Sequence, residues 1–246
     1  VIKRTTHKVN TSALNVRDAA GTDGRRIGGL TQDKEVVVLG TQGEWSKIVY
    51  GNGFGWVQSK YLKSIVNPFK DVKRSDYFKD AVLWAVNHNP QITNGTDPTH
   101  FSPNQNCTRA HVVTFMWRAA GKPEPSLTHN HFKDVKDTDY YYKAVLWAVE
   151  NSITYGTSTD TFSPSNSCKR CEVVTFLWRW RGYQEPEGTS NPFDDLVSGA
   201  YYYKAVLWAY NHKPEQITSG TSTNEFSPEA VCTRGQIVTF LYRALK

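Results

Sequence analysis

Three arginines recur behind a cysteine and a helix-cap position, in Cys107-Thr108-Arg109, Cys168-Lys169-Arg170 and Cys232-Thr233-Arg234. Each marks the predicted start of a helix. Thr108 and Thr233 suit the N-cap, Thr233 with Gln236 makes a capping box, and Lys169 holds the cap position ahead of Glu172. The arginines therefore fall on the first helical position, where the positive end of the helix dipole disfavours a cation by about 0.3–1 kcal/mol. A single solvated arginine tolerates this, but three repetitions beside varied neighbours ask for a reason. A guanidinium fork beside free backbone N–H groups would receive a carboxylate or phosphate. That anion could also be internal, and Asp71, Asp134 and Asp195 are candidates, each two residues after a phenylalanine. These aspartates either cap or order the approach to the first helix of their repeat, or accept hydrogen bonds from sugar hydroxyls and amides while orienting the arginine.

The elements that must hold these groups are themselves triplicated. Ala-Val-Leu-Trp-Ala occurs around Trp84, Trp147 and Trp208, a period of about 60 residues that marks a repeat architecture. Behind each tryptophan come Gly95, Gly156 or Gly220, then Phe101-Ser102-Pro103, Phe162-Ser163-Pro164 or Phe226-Ser227-Pro228. In the first unit Tyr77, Phe78, Ala81, Val82, Trp84, Ala85 and Val86 form a broad helical stripe. A second helix is predicted from about Arg109 to Ala119, with Val112, Val113, Phe115 and Met116 on its apolar face. Helices this apolar must pack between units as well as within them. The tryptophans suit either the core or a sugar-stacking platform, and the glycines suit a turn of positive φ or a ligand contact.

Composition narrows the function classes. Formal net charge is +6 and pI is near 9.0, which favours anionic partners. The basic residues are scattered, without runs or arginine-glycine tracts, which argues against nucleic acid. No apolar run reaches a membrane-spanning length, so no membrane insertion is expected. The four cysteines, Cys107, Cys168, Cys171 and Cys232, lack a second pair at metal-ligand spacing and read as buried thiols. A Cys168–Cys171 disulfide stays open, and no metal or cofactor is implied. The histidines and carboxylates form no catalytic motif, so the chain reads as a non-enzyme. It opens at Val1 within structured-looking sequence, as a piece of a longer protein would.

Ahead of the repeats lies a leader rich in β signals: Ser12–Arg17, Glu35–Leu39, Trp45–Tyr50 and Gly55–Val57, punctuated by glycine turns. With Leu14-Asn15-Val16-Arg17, Trp45-Ser46-Lys47-Ile48, Gly55-Trp56-Val57 and Tyr61-Leu62 in order, it resembles a bacterial SH3 domain. The resemblance implies a small barrel and peptidoglycan as a candidate partner. Trp45 and Trp56 either line its groove or fill its core.

Phe-x-Asp, the Trp-Ala helix, Ile-Thr-x-Gly, Phe-Ser-Pro and the Thr-Arg pair, recurring in order over roughly residues 67 to 246, resemble three S-layer homology (SLH) domains. The expected fold is mixed: a small all-β SH3-like barrel, then an all-α three-repeat spindle with internal pseudo-threefold symmetry. The expected divisions are 1–64 for the SH3-like domain and 65–125, 126–188 and 189–246 for the repeats. The resemblance implies a monomer at the bacterial cell surface, outside the cell, whose inter-repeat grooves bind an anionic, pyruvylated wall polysaccharide. Its ligand residues would be drawn from Arg109, Arg170, Arg234, Asp71, Asp134, Asp195, Gly95, Gly156, Gly220, Trp84, Trp147 and Trp208. Of the family's Thr-Arg-Ala-Glu motif only the arginine occurs three times, and its glutamate survives solely as Glu172, so unequal grooves are expected. An adhesin for host glycans or proteins, and the wall-binding part of a cell-wall hydrolase, are the alternatives.

Overall fold

The computed structural model describes residues 5–246, so Val1 and its three successors lie outside the described residues. The chain divides into two compact units, Val1–Val66 and Asn67–Lys246.

The first unit is one antiparallel sheet. Its strands are β1 (Thr5–Val9), β2 (Ala13–Arg17), β3 (Arg26–Thr31), β4 (Glu35–Gln42), β5 (Trp45–Tyr50), β6 (Gly53–Gln58) and β7 (Leu62–Ser64), in the order β3-β2-β6-β5-β4-β1-β7. Strand alternation sends one face inward, so Val9, Leu14, Val16, Val36, Val38, Ile48 and Val57 share a single core. The opposite face of β5 and β6 carries Trp45, Lys47, Val49, Phe54 and Trp56, paired as Lys47 with Trp56 and Val49 with Phe54. Both tryptophans are therefore half-buried on the outer face rather than core residues. Lys47 Nζ stands 3.6 Å from the Phe54 ring centre, and Phe54 is 50% exposed.

The second unit holds six helices: α1 (Lys79–Asn87), α2 (Arg109–Ala119), α3 (Tyr142–Glu150), α4 (Arg170–Trp180), α5 (Tyr203–Asn211) and α6 (Arg234–Leu245). Each repeat contributes a pair. The second helix of one repeat packs on the first helix of the next, α2 on α3 and α4 on α5, and α6 returns to α1. The cycle closes in the backbone as well. Cys168 N–H donates to the Cys107 carbonyl at 2.8 Å, Cys232 N–H to Cys168 at 2.9 Å, and Cys107 N–H to Cys232 at 3.1 Å. All four cysteines are free and buried. Burial pushes the Cys107 thiol up to about 11 and the Cys232 thiol up to about 12, which keeps both protonated and unreactive.

Phe101, Phe162 and Phe226 are fully buried and plug the space between helices, each worth about 1.5–3 kcal/mol of burial. They sit against Phe69, Phe132 and Phe193, with ring centres 5.8 Å apart in all three repeats. No helix among the described residues is long and apolar enough to cross a membrane.

Candidate functional site

The arginine helices begin where the cap residues predicted. Thr108 and Thr233 are N-caps with capping boxes, completed by His111 and Gln236. At Lys169 only the returning half is available, because an ammonium group has no acceptor; Glu172 takes the Lys169 N–H at 2.8 Å.

The helix starts, however, are not open to a ligand. Arg109 and Ala110 donate their N–H groups to the carbonyls of Asn166 and Pro164 in the next repeat. Arg170 and Cys171 do the same to Ala230 and Pro228, and Arg234 and Gly235 to Gln105 and Pro103. The expectation that free amides join the guanidinium group in an anion site is therefore corrected. The first-turn donors that a helix cannot satisfy internally are spent on the joint between repeats.

The arginine side chains follow the same direction and leave the helix dipole behind. They are 3%, 2% and 5% exposed for Arg109, Arg170 and Arg234. Their Nε groups donate to the Phe162, Phe226 and Phe101 carbonyls at 2.9, 2.8 and 2.8 Å. Each guanidinium lies between two phenyl rings, Arg170 at 4.8 Å from Phe226 and 5.4 Å from Phe240, which suits cation–π attraction in a desolvated place. Burial holds the Arg170 and Arg234 groups below the ordinary arginine value.

The aspartates hold the other side of those phenylalanines. Asp71 accepts from Phe101 N–H and Ser102 N–H at 2.9 and 2.7 Å, Asp134 from Phe162 and Ser163 at 2.8 and 2.7 Å, and Asp195 from Phe226 and Ser227 at 2.9 and 2.7 Å. They order the Phe-Ser-Pro loop, not the entry to the first helix. Ser102, Ser163 and Ser227 need this support, because all three sit in the left-handed region at φ 57°, 58° and 55°. Gly95, Gly156 and Gly220 also have positive φ, and a Cβ on Gly156 would stand 2.5 Å from both Phe132 Cε1 and the Thr161 carbonyl. Trp147 and Trp208 are core residues, while Trp84 is half-buried with its ring against His88 and Tyr242.

Two further triplets escaped the reading of the sequence. Tyr77, Tyr140 and Tyr201 are 63%, 60% and 60% exposed and lie before the first helix of each repeat, not within its buried stripe. Their spacing equals that of the tryptophans, and that period was the available signal. Each belongs to a junction shared by all three repeats. Tyr140 stacks near His111, which lies within electrostatic range of Arg234. Tyr201 Oη is 3.5 Å from Cys171 Sγ, next to the Glu172 that pairs with Arg109. Tyr77 lies within range of Arg170 and Arg243. The second triplet, Arg118, Arg179 and Arg243, donates Nη1 to the carbonyls of Ile92, Ile153 and Ile217 and so anchors the Ile-Thr-x-Gly loops. Among the described residues no group of three metal-ligating side chains is assembled.

A family model described as S-layer homology domain matches residues 68–113, 131–173 and 192–238, more than half of the chain. A second, described as Bacterial SH3 domain, matches residues 12–63. An endoglucanase of Bacillus sp. (strain KSM-635) is 28% identical over 183 residues, 71% of this chain and 18% of its own length. A cellulosome-anchoring protein of Acetivibrio thermocellus is 26% identical over 154 residues, 59% of this chain and 33% of its own. A surface-layer 125 kDa protein of Lysinibacillus sphaericus is 31% identical over 105 residues, 43% of this chain and 9% of its own. The chain thus spans a third or less of each of these relatives.

Proposed function

The chain belongs to the S-layer homology family, and on that premise we propose that it is a noncovalent anchor holding a bacterial surface protein to the cell wall. The ligand is an anionic, pyruvylated wall polysaccharide taken up at the junctions between repeats. One observation carries this reading: two junctions set a buried guanidinium within electrostatic range of an exposed tyrosine from a different repeat, Arg170 with Tyr77 and Arg234 with Tyr140. A ring face and a fixed cation together suit a sugar that bears a carboxylate. The relatives named for surface layers and cellulosome anchoring support the placement at the cell surface, outside the cell.

The working unit is a single chain whose repeats, 65–125, 126–188 and 189–246, play the parts of three subunits in a pseudo-threefold spindle. Linked weak junctions raise avidity without any one being tight. The leader, 1–64, is a second wall contact that takes peptidoglycan. The outer-face strip of half-buried Trp45 and Trp56 with exposed Phe54 around Lys47 supports that assignment.

Co-sedimentation with purified sacculi tests the proposal. Pelleting should fall sharply when the secondary polymer is stripped. Undiminished pelleting would reject the polysaccharide reading and leave peptidoglycan recognition by the leader.

A further inference from the structure

The positive charge of the chain is not shared between its two units. Val1–Val66 carries ten lysines and arginines against five aspartates and glutamates, and Asn67–Lys246 carries nineteen against eighteen, so five of the six net charges belong to the leader. Among the described residues the leader uses that charge in a single ion pair, Arg25 with Asp18 at 3.5 Å. The preference for anions read from the whole composition is therefore a property of the sheet unit.

Strand register gathers two of these cations in one row. Arg17 of β2 pairs with Trp56 of β6, and Trp56 pairs in turn with Lys47 of β5, so the three side chains share the outer face with the indole in the middle. Two strand spacings separate the cations, about 10 Å at the backbone. Each is held in place. Lys47 Nζ lies 3.6 Å from the Phe54 ring centre and 5.9 Å from that of Trp56, and Arg17 Nη1 donates to the Gly24 carbonyl at 2.6 Å. Both are half-buried, and among the described residues neither has a carboxylate within ion-pair distance. A ring and a carbonyl orient these groups without neutralising them. Two oriented cations about an indole complement a carboxylate carried on an apolar body.

We infer that the row of Arg17, Trp56 and Lys47 is a carboxylate-recognition site whose ligand is the peptide part of peptidoglycan. The inference rests on the reading of the leader as a peptidoglycan contact and names the group that this contact takes. The sugar backbone of peptidoglycan is built of N-acetylated residues without charge, whereas its peptides carry free carboxylates, so a cationic row selects the peptide. Trp45 and Phe54 extend the aromatic surface along β5 and β6 for the apolar side chains of that peptide.

Titration of the full, isotope-labelled chain with a soluble muropeptide, a disaccharide bearing a peptide with free carboxylates, tests this by amide NMR and calorimetry. The amide signals of Arg17, Lys47 and Trp56 should shift, and added salt should weaken the binding. K47Q should bind at least about tenfold more weakly, the scale of one charge-assisted hydrogen bond, and K47R should restore most of the affinity. Lys47 lies on the outer face, so both variants should keep the dispersed amide spectrum of the wild type. Wild-type affinity in folded K47Q, or a carboxyl-amidated muropeptide bound as tightly as the free acid, would overturn the inference while leaving peptidoglycan recognition by the leader in place. A muropeptide that moves no leader signal would overturn both.

Discussion

Replacing Asp134 with alanine separates a structural clamp from a ligand contact. Its two oxygens receive the N–H groups of Phe162 and Ser163 at 2.8 and 2.7 Å, and Arg109 holds the Phe162 carbonyl from the preceding repeat at 2.9 Å. Hydrogen bonds to a charged acceptor contribute about 1.5–3 kcal/mol each, so losing both costs at most about 6 kcal/mol. Water can reach a partly buried site, which brings the expected loss to about 3 kcal/mol. The left-handed Ser163 would also lose the acceptor that holds it in a conformation costing about 1–3 kcal/mol.

In urea, with a slope of about 2 kcal/mol/M, the midpoint for the second unit should fall by about 1.5 M. Helical circular dichroism follows that unit, because the first unit is β. Asp134→Asn should lose a large part of the same stability, since its amide places a donor against a donor N–H. Polysaccharide binding by the alanine variant should fall only in step with its unfolded fraction. A variant with the wild-type midpoint and no binding would refute the clamp and return Asp134 to the ligand.

Gly156→Ala combines a positive φ with contacts at 2.5 Å, and should destabilise by about 2–4 kcal/mol in thermal unfolding; an unchanged midpoint would show that the loop yields freely. Arg170→Lys keeps the charge but loses the Nε bond to the Phe226 carbonyl and the fit between Phe226 and Phe240. A loss of about 2 kcal/mol in urea is expected, and none would mean that charge alone matters. Burial, and then Arg234, hold His111 below its ordinary value, and its Nδ1 must stay unprotonated to take the Thr108 N–H. Its contribution is therefore full above the unfolded imidazole value of about 6.5 and is lost as pH falls toward the depressed folded one. His111→Gln should flatten that stretch of the stability profile, and an unaltered slope would refute the assignment.

Local signals carried the helices, and long-range pairing hid the joints. The span from Arg109 to Ala119 was legible because the cap chemistry and the apolar period agree there. The destination of Arg109 was not, because its acceptor is Phe162, in another repeat. Tyr77 was assigned to a helical stripe because it precedes Phe78 at a suitable spacing, yet α1 begins at Lys79 and leaves the ring exposed. In the leader, β1 reads Thr-Thr-His-Lys-Val and edge strand β3 carries Gly28-Gly29, so neither shows the alternation that revealed β2 and β5 or the β-branched run that revealed β4.

The arginine at the first helical position no longer needs a ligand to explain it. Its charge sits in the neighbouring repeat, between phenyl rings and on a carbonyl, and the amides it left behind are satisfied by two more carbonyls of the same loop. A joint made this way depends on backbone acceptors and on one side chain that can cross the gap. The cap can then change from Thr108 to Lys169 without loss of the joint. The next residue varies only among small ones, Ala110, Cys171 and Gly235, because the contact is close: a Cβ on Gly235 would stand 3.1 Å from the Phe78 ring and 3.2 Å from the Pro103 carbonyl. The third position differs as His111, Glu172 and Gln236, each taking the cap N–H, and Glu172 also accepts from Arg109 Nη1 across the joint.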